Sequence, residues 1–513
     1  MLIEIHILQN HSPGNLNRDD LGAPKSAYFG GKLRGRISSQ CIKRSIRRHD
    51  DFQTELQGHL GTRTKEFPEM VREQLKKSTI PDKEHDHIVQ RCTGIAKAED
   101  KAGAMQEKDS TDGKKRTPQL IYLDPGHVEE FVKRLAGLRE TMPEAYKYYL
   151  NPVAGFQEMM RVALDEGELD DDKLKANIIK NAWVIAKLRM RRLAKFEGED
   201  EEQDVPGGEG TEPSEAAAKW IVERVELLAQ RDENKNKELL KEIQKAANGP
   251  EKEKLQKAEA EKPKGYDKFA EDLFQPLQSN VVDIALFGRM TTSDAFEDVE
   301  ASLEVAHAIS TNEMVREVDY FTAIDDRGKG VAAAHVGANQ FNSCTYYKYF
   351  SLDWNAFVAR LSGSNPKPEA KKSAEELARK ALRSLIRAAA FAVPSGKKKG
   401  HAHNNLPDAV LVEVKQKRVP TNYANAFLTP AAPSADGDLL ADSIRKLGHY
   451  ATLVSRGYGI AAERCWFELE QRPLAFTSPE GNNPAKTVPL ARSEESFDAL
   501  LDKVIAALPK GAA

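Results

Sequence analysis

Two blocks of short apolar runs, 1–50 and 281–513, flank a long charged middle whose apolar residues recur at helical spacing. This order restricts the fold to an α+β core interrupted by a helical insertion. Ile3, Ile5 and Ile7 alternate with Glu4 and His6 in a strand pattern. After a polar loop, Ser38 or Ser39 caps a helix that turns Cys41, Ile42, Ser45 and Ile46 inward. Within 51–280, residues 97–116 read as a charged loop and 177–196 as a helix with Trp183 inward. Residues 197–215 form an acidic Gly/Pro-bearing linker, expected to be mobile. Amphipathic stretches carrying Ile221 and Val225, then Leu239 and Ile243, elaborate the insertion to about 265, with heptads too short for a coiled coil. Beyond it, strand patterns cover 281–287 and 409–414, and helical ones cover 374–393 and 438–454. Gly328, Gly330 and Gly337 punctuate a hairpin whose second arm is 341–350. No fixed period recurs, which argues against a solenoid.

Charge is concentrated in one place. Residues 18–48 carry Arg18, Lys25, Lys32, Arg34, Arg36, Lys43, Arg44, Arg47 and Arg48 against only Asp19 and Asp20. Lys32, Arg34 and Arg36 alternate, so an extended segment points all three one way. Gly30, Gly31 and Gly35 let backbone approach a ligand closely. Ser38, Ser39 and Gln40 open a helix whose free N–H groups favour a phosphate. The combination reads as a track for a sugar-phosphate chain. With Tyr28 and Phe29 its only aromatics, the track reads backbone more than base sequence. The alternative is a solvated charged face.

The chain has 513 residues, more than one core usually holds, and its net charge of -3 makes the basic character local. It opens directly on a strand and contains no long apolar run, so a cytoplasmic protein with no membrane partner is expected. Cys41, Cys92, Cys344 and Cys465 are widely spaced and read as reduced thiols. Asp19-Asp20 and Asp325-Asp326 are the carboxylate pairs that could hold a metal, but neighbours on a strand point apart and acidic pairs are common in turns. His401-x-His403-Asn404-Asn405 is half of a nuclease pattern without the rest. Following Lys397-Lys398-Lys399, it reads as a basic, mobile loop near nucleic acid. His307 is expected on a helix as a packing residue, and no phosphate-loop motif occurs. No catalytic residue, metal or cofactor is therefore expected.

The same residues carry a family resemblance. His11-Ser12-Pro13, Leu16-Asn17-Arg18-Asp19-Asp20, Phe29-Gly30-Gly31-Lys32 and Arg36-Ile37-Ser38-Ser39-Gln40 followed by Lys43-Arg44 resemble the CasC family, the backbone subunit of the type I-E CRISPR Cascade surveillance complex. Downstream, Val282 to Ser293, Ala306 to Thr311, Asp319 to Asp326, Ala334-His335-Val336-Gly337 with Phe341, Asn422 to Phe427 and Gly457-Tyr458-Gly459 continue the series in order. The similarity covers about 1–50 and 280–460 and is weak across 51–280.

The resemblance implies a right-hand shape. A modified RNA-recognition-motif-like (ferredoxin-like) palm is built from 1–50, 281–318 and 351–513, helical fingers from 51–280 and a β-hairpin thumb from 319–350. It implies a non-catalytic subunit whose copies line a guide RNA (crRNA) in a helical filament and present it for pairing with target DNA. The other Cascade subunits and a recruited helicase–nuclease are its further partners. Arg18, Lys25, Lys32, Arg34, Arg36, Ser38, Ser39, Gln40, Lys43, Arg44 and Arg47 are the expected RNA contacts, Arg289 and Met290 the wedge between bases, and His335, Gln340 and Phe341 the thumb. The competing readings are a metal-dependent ribonuclease on a related CRISPR backbone fold and a generic interaction protein.

Overall fold

Strand β1, Leu2–Gly14, is buried on both faces, and the rest of its unit is arranged around it. The computed structural model describes residues 1–93, 114–117, 120–150, 266–274, 281–291, 296, 298–323, 335–363, 366–433, 438–478 and 486–509. The linker 197–215, the elaboration to 265, the helix 177–196 and Asp325-Asp326 lie outside them. After β1 come β2 (Ser26–Phe29), β3 (Lys32–Ile37), α1 (Ser39–Arg47) and α2 (Asp50–Glu55). Next are β4 (Thr62–Thr64), α3 (Phe67–Leu75), α4 (Asp82–Cys92), β5 (Ile121–Leu123), α5 (Pro125–Thr141), α6 (Pro143–Leu150) and α7 (Tyr266–Leu273). The chain continues with α8 (Val282–Phe287), β6 (Leu303–Val305), β7 (Ala308–Ser310), β8 (Glu317–Ala323), β9 (His335–Asp353), α9 (Trp354–Ser362), α10 (Pro368–Phe391), α11 (Lys398–His401) and β10 (Ala409–Lys415). A 3₁₀ turn (Tyr423–Phe427), α12 (Leu439–Tyr458), β11 (Glu463–Glu468), β12 (Leu474–Ser478), β13 (Lys486–Ala491) and α13 (Phe497–Ala506) complete it.

The chain divides into two units. One comprises Met1–Gly61, Gln278–Met290 and Asp298–Ala513, and the other Thr62–Leu277 and Thr291–Glu297. In the described part of the second, α3 to α7 and the β4–β5 pair surround Phe67, Phe131 and Phe296, whose rings meet edge to face at 5.8 Å. The first unit is an α+β layer structure. Its sheet has strand order β11-β10-β1-β9-β7-β3-β2, β6 and β8 also pair with β9, and every pairing is antiparallel.

The period-two rule assigns residues to its faces. Ile3, Ile5 and Ile7 of β1, Tyr346, Phe350 and Leu352 of β9 and Val410, Val412 and Val414 of β10 share one core. Helix α10 covers it with Leu382, Leu385 and Ile386, each such side chain worth roughly 1.5–3 kcal/mol when fully buried. Leu8, Tyr347, Tyr349 and Leu411 face the other way, under the 3₁₀ turn and Ile444, Leu447 and Ala451 of α12.

Glu4 and His6, the polar partners in the β1 alternation, lie on that second face and are fully buried. They belong to a charge network. Lys415 Nζ contacts Glu4 and lies 3.4 Å from Glu413. Arg464 Nε donates to Glu413 at 2.6 Å, and the Tyr423 hydroxyl to the same carboxylate at 2.9 Å. Burial alone would raise the Glu413 carboxyl, but His6, Arg464 and Lys415 together hold it below the ordinary carboxylate range. Glu4 also accepts from Thr421 N–H at 2.6 Å, and Tyr347 Oη accepts from Tyr423 N–H at 3.0 Å. The network thereby ties down the chain that enters the 3₁₀ turn.

The run 281–287, expected as a strand, is helix α8. A short continuous apolar run fits either element. Asp283 settles it by accepting from Gly61 N–H at 2.7 Å and pairing with Arg47 at 3.1 Å. Among the described residues, no helix is long and apolar enough to cross a membrane. Lys415→Met should destabilise the protein by about 3–5 kcal/mol in urea unfolding, because two buried carboxylates lose their shared cation. The exposed Lys371→Met should stay within about 0.5 kcal/mol of wild type.

Candidate nucleic-acid interface

β2 and β3 form a hairpin at the edge of the sheet, with Phe29 opposite Lys32. Its two-residue turn is Gly30-Gly31, with φ of 60° and 73°, the pair of positive values that a type I′ turn needs. A Cβ on Gly30 would sit 2.0 Å from the Leu428 carbonyl oxygen, so the segment after the 3₁₀ turn closes directly onto the hairpin. β3 then leads into α1, where Ser38 Oγ accepts from Cys41 N–H at 3.4 Å and Asn17 Oδ1 accepts from Ser38 N–H at 2.9 Å.

The alternation of Lys32, Arg34 and Arg36 does not give three equivalent side chains. Arg34, expected as an RNA contact, is fully buried. Its Nη1 donates to the carbonyls of Ser310 (3.0 Å) and Thr311 (2.7 Å), and its Nη2 to those of Phe427 (2.7 Å) and Leu428 (3.3 Å). The chain at 427–428 covers this one position of the strand, and a planar guanidinium is the side chain able to satisfy so many carbonyls at once. Ser38 is likewise a buried helix cap. Arg47 braces α1 against α8 through Asp283, and Lys32 pairs with Glu313 at 3.1 Å.

The remaining cations differ. Among the described residues, Arg18, Lys25, Arg36, Lys43 and Arg44 make no ion pair with a carboxylate. Arg18 and Arg44 are exposed, as is Gln40, while Lys25, Arg36, Lys43 and Ser39 are half-buried. Lys43 rests its ammonium 5.8 Å from the Phe287 ring, and burial lowers its pKa. Exposed Tyr28 lies on the edge strand β2 of the same hairpin.

Sequence reasoning missed His307. It is exposed between β6 and β7 rather than on a helix. Its Nδ1 lies 3.4 Å from Arg36 Nη1 and 3.3 Å from Ser39 N–H, two donors that make this nitrogen the acceptor. Partial desolvation, then Arg36 and Lys25, lower its pKa. Its place in the Ala306 to Thr311 motif was the available signal.

Arg289, expected with Met290 at the wedge, is buried, and its backbone pairs with Val299. Met290, next to it, is 94% exposed. In the hairpin, β8 pairs with the start of β9 from Ala323 opposite His335 to Glu317 opposite Phe341, so the second arm begins at His335 and runs on into the sheet. Val318, Tyr320 and Phe321 are exposed on it. Its base is held by Asn15, whose Nδ2 donates to the carbonyls of Gln340 and Gly22, both at 2.9 Å.

Asp19 has a structural task, its Oδ1 accepting from Leu21 N–H at 3.0 Å and Ala23 N–H at 2.8 Å. Glu4, His6 and Glu413 have metal-ligand chemistry with ligand atoms within 4.8 Å of one another. Lys415 already contacts both carboxylates, so the chain supplies the cation there itself.

A mixed α+β protein with an antiparallel sheet and a rim of unpaired cations is thus defined. Residues 3–186 and 157–488 match the CT1975-like protein family of Cas proteins, and the chain belongs to it. No curated protein matches the chain. Among solved structures, a chain of a CRISPR RNA-guided surveillance complex described as pre-nicking is similar, with 21% identity, 99% of this chain and 100% of that chain covered, and a TM-score of 0.58. A chain of a second CRISPR RNA-guided surveillance complex is 18% identical, with 99% of each chain covered and a TM-score of 0.45. The first likeness shows a shared fold.

Arg34→Ala should lower stability by about 3 kcal/mol, because buried carbonyls lose their donors. Arg36→Ala should stay within about 0.5 kcal/mol of wild type. Chemical denaturation of both variants checks the division between structural and free cations.

Proposed function

We propose that this chain is a non-catalytic guide-RNA-binding backbone subunit of a type I-E Cascade-type CRISPR complex. In this reading the first unit is the palm, an RNA-recognition-motif-like sheet, the second contributes the fingers, and the β8–β9 hairpin is the thumb. Copies line the guide RNA, Met290 wedges between bases, and the exposed guide pairs with target DNA. Other Cascade subunits and a recruited helicase–nuclease complete the assembly, in the cytoplasm.

The observation that carries the reading is the set of cations without carboxylate counter-ions among the described residues, on the loop before β2 (Arg18, Lys25), on β3 (Arg36) and on α1 (Lys43, Arg44). Among the described residues of this unit, Arg383 by contrast is matched by Asp498 and Asp502, and Arg472 by Glu468 and Asp438. Carboxylates withheld from one face favour a polyanion there. Membership of a Cas family and the fold shared with a surveillance-complex chain point to RNA as that polyanion. The engagement of Asp19 with backbone N–H groups supports a binding role over a nuclease role.

Neutralising Lys25, Arg36 and Arg44 together should flatten the slope of log affinity against log salt for single-stranded RNA by about 2, at roughly 0.7 per lost contact. The RNA should be recovered intact after incubation with magnesium. An unchanged slope, or cleavage that Asp19→Ala abolishes, would overturn the reading.

A hairpin that contacts the RNA of an adjacent copy makes a head-to-tail, propagating contact. Joining Val318 to Gln340 through a two-residue turn removes the hairpin and leaves the sheet register from Asn342 onward in place. That variant should still bind RNA as one copy but lose ordered multi-copy loading, read as mass per RNA by light scattering. Equal copy number and cooperativity would count against the thumb.

A further inference from the structure

Between α10 and β10 the chain makes a basic turn that is held at both ends by uncommon backbone. Lys397 and Ala402 flank the single turn of α11 with φ of 46° and 47°, the left-handed region that non-glycine residues rarely enter. Such residues persist where the surroundings over-determine them, and they cluster at binding sites. Here the surroundings are visible. The Lys397 ammonium donates to Asn339 Oδ1 in the β8–β9 hairpin. The His401 ring lies 5.9 Å from that of Phe341. His403 is fully buried and bonds the Gly396 carbonyl at 2.9 Å, which closes the loop. A Cβ on Gly396 would lie 2.4 Å from the Asn15 carbonyl oxygen and 2.5 Å from that of Leu16, so only glycine allows this approach to the loop that carries Arg18.

The turn is thus bolted both to the base of the hairpin and to the start of the basic track. It carries Lys397, Lys398, Lys399 and His401, and among the described residues none of them pairs with a carboxylate. Lys399 is exposed, and Lys398 and His401 are half-buried. Adjacent lysines in one turn repel one another, and a strained backbone that fixes their spacing adds to that cost. A phosphodiester chain bound across them removes the repulsion and uses the fixed spacing.

We propose that the Lys397–Ala402 turn is a second RNA phosphate site, in which Lys398, Lys399 and His401 take the sugar-phosphate chain as it passes the base of the β8–β9 hairpin. This rests on the RNA-binding reading above. It extends the contact surface beyond the β2–β3–α1 track to the turn between α10 and β10.

The test uses the full chain and a single-stranded RNA oligonucleotide. Lys398→Ala combined with Lys399→Ala should reduce the salt slope of binding by about 1.4, at roughly 0.7 per contact, and weaken affinity about tenfold near 0.15 M salt. The melting temperature should not change. Ala402→Gly keeps every charge and relaxes the left-handed position. It should leave the salt slope as in wild type, weaken affinity about threefold and not lower the melting temperature. A wild-type slope in the double variant overturns the site. So does a lowered melting temperature of the double variant, which would mark the turn as a brace. So does a defect confined to duplex DNA. If the wild-type chain binds no RNA at all, the RNA-binding reading itself fails, and the site with it.

Discussion

The buried charge network beneath the 3₁₀ turn sets the position of the basic hairpin. Glu4 and Glu413 lie on adjacent central strands, and Lys415, Arg464, Thr421 and Tyr423 answer them. Isolated carboxylates in that position would be costly to bury. Answered as they are, they hold the chain from Thr421 to Leu428 in one place, and its last two carbonyls receive the Arg34 guanidinium. Arg34 and Gly30 then fix the β2–β3 hairpin against that segment. A chain of hydrogen bonds thus runs from the middle of the sheet to its edge.

This arrangement separates cations that shape the protein from cations that pair with no carboxylate among the described residues. Arg34 and Arg47 sit where backbone carbonyls or a buried carboxylate must be matched, and each makes several bonds in a fixed geometry that a lysine could not reproduce. Arg18, Lys25, Arg36 and Arg44 have no such duty. Left without carboxylate partners, they raise the local potential without changing the overall charge of -3, so the whole-chain charge says little about binding.

The two-sided burial of the sheet explains the aromatic and ionic content of its second face. Strands buried on both sides usually read as continuous apolar runs. β10 reads Ala-Val-Leu-Val-Glu-Val-Lys, and all seven residues are buried. Its Glu and Lys are tolerated because partners lie directly opposite or one register step away. Tyr347, Tyr349 and Tyr423 supply both apolar surface and hydroxyl groups there, with the Tyr423 ring stacked on His6 at 4.7 Å.

Much of this was legible in the sequence. The Ile3, Ile5, Ile7 alternation gave β1, Ser38 gave the start of α1, and the clustering of Arg and Lys over 18–48 marked the basic edge, because these signals depend on neighbours a few residues apart. What the tertiary structure decided depends on residues hundreds of positions away. Glu4 was only a polar partner in the strand alternation until strands β9 and β10 and the 3₁₀ turn enclosed it. Arg34 looked like its neighbours Lys32 and Arg36 until the carbonyls of 310–311 and 427–428 met it. The run 281–287 could be strand or helix until Asp283 bonded Gly61 and Arg47. His307 and the Lys397–Ala402 turn met their partners only where distant loops came together. Local spacing fixes which way a side chain leaves the backbone, whereas burial and hydrogen-bond partners are set by what the rest of the chain brings to that place.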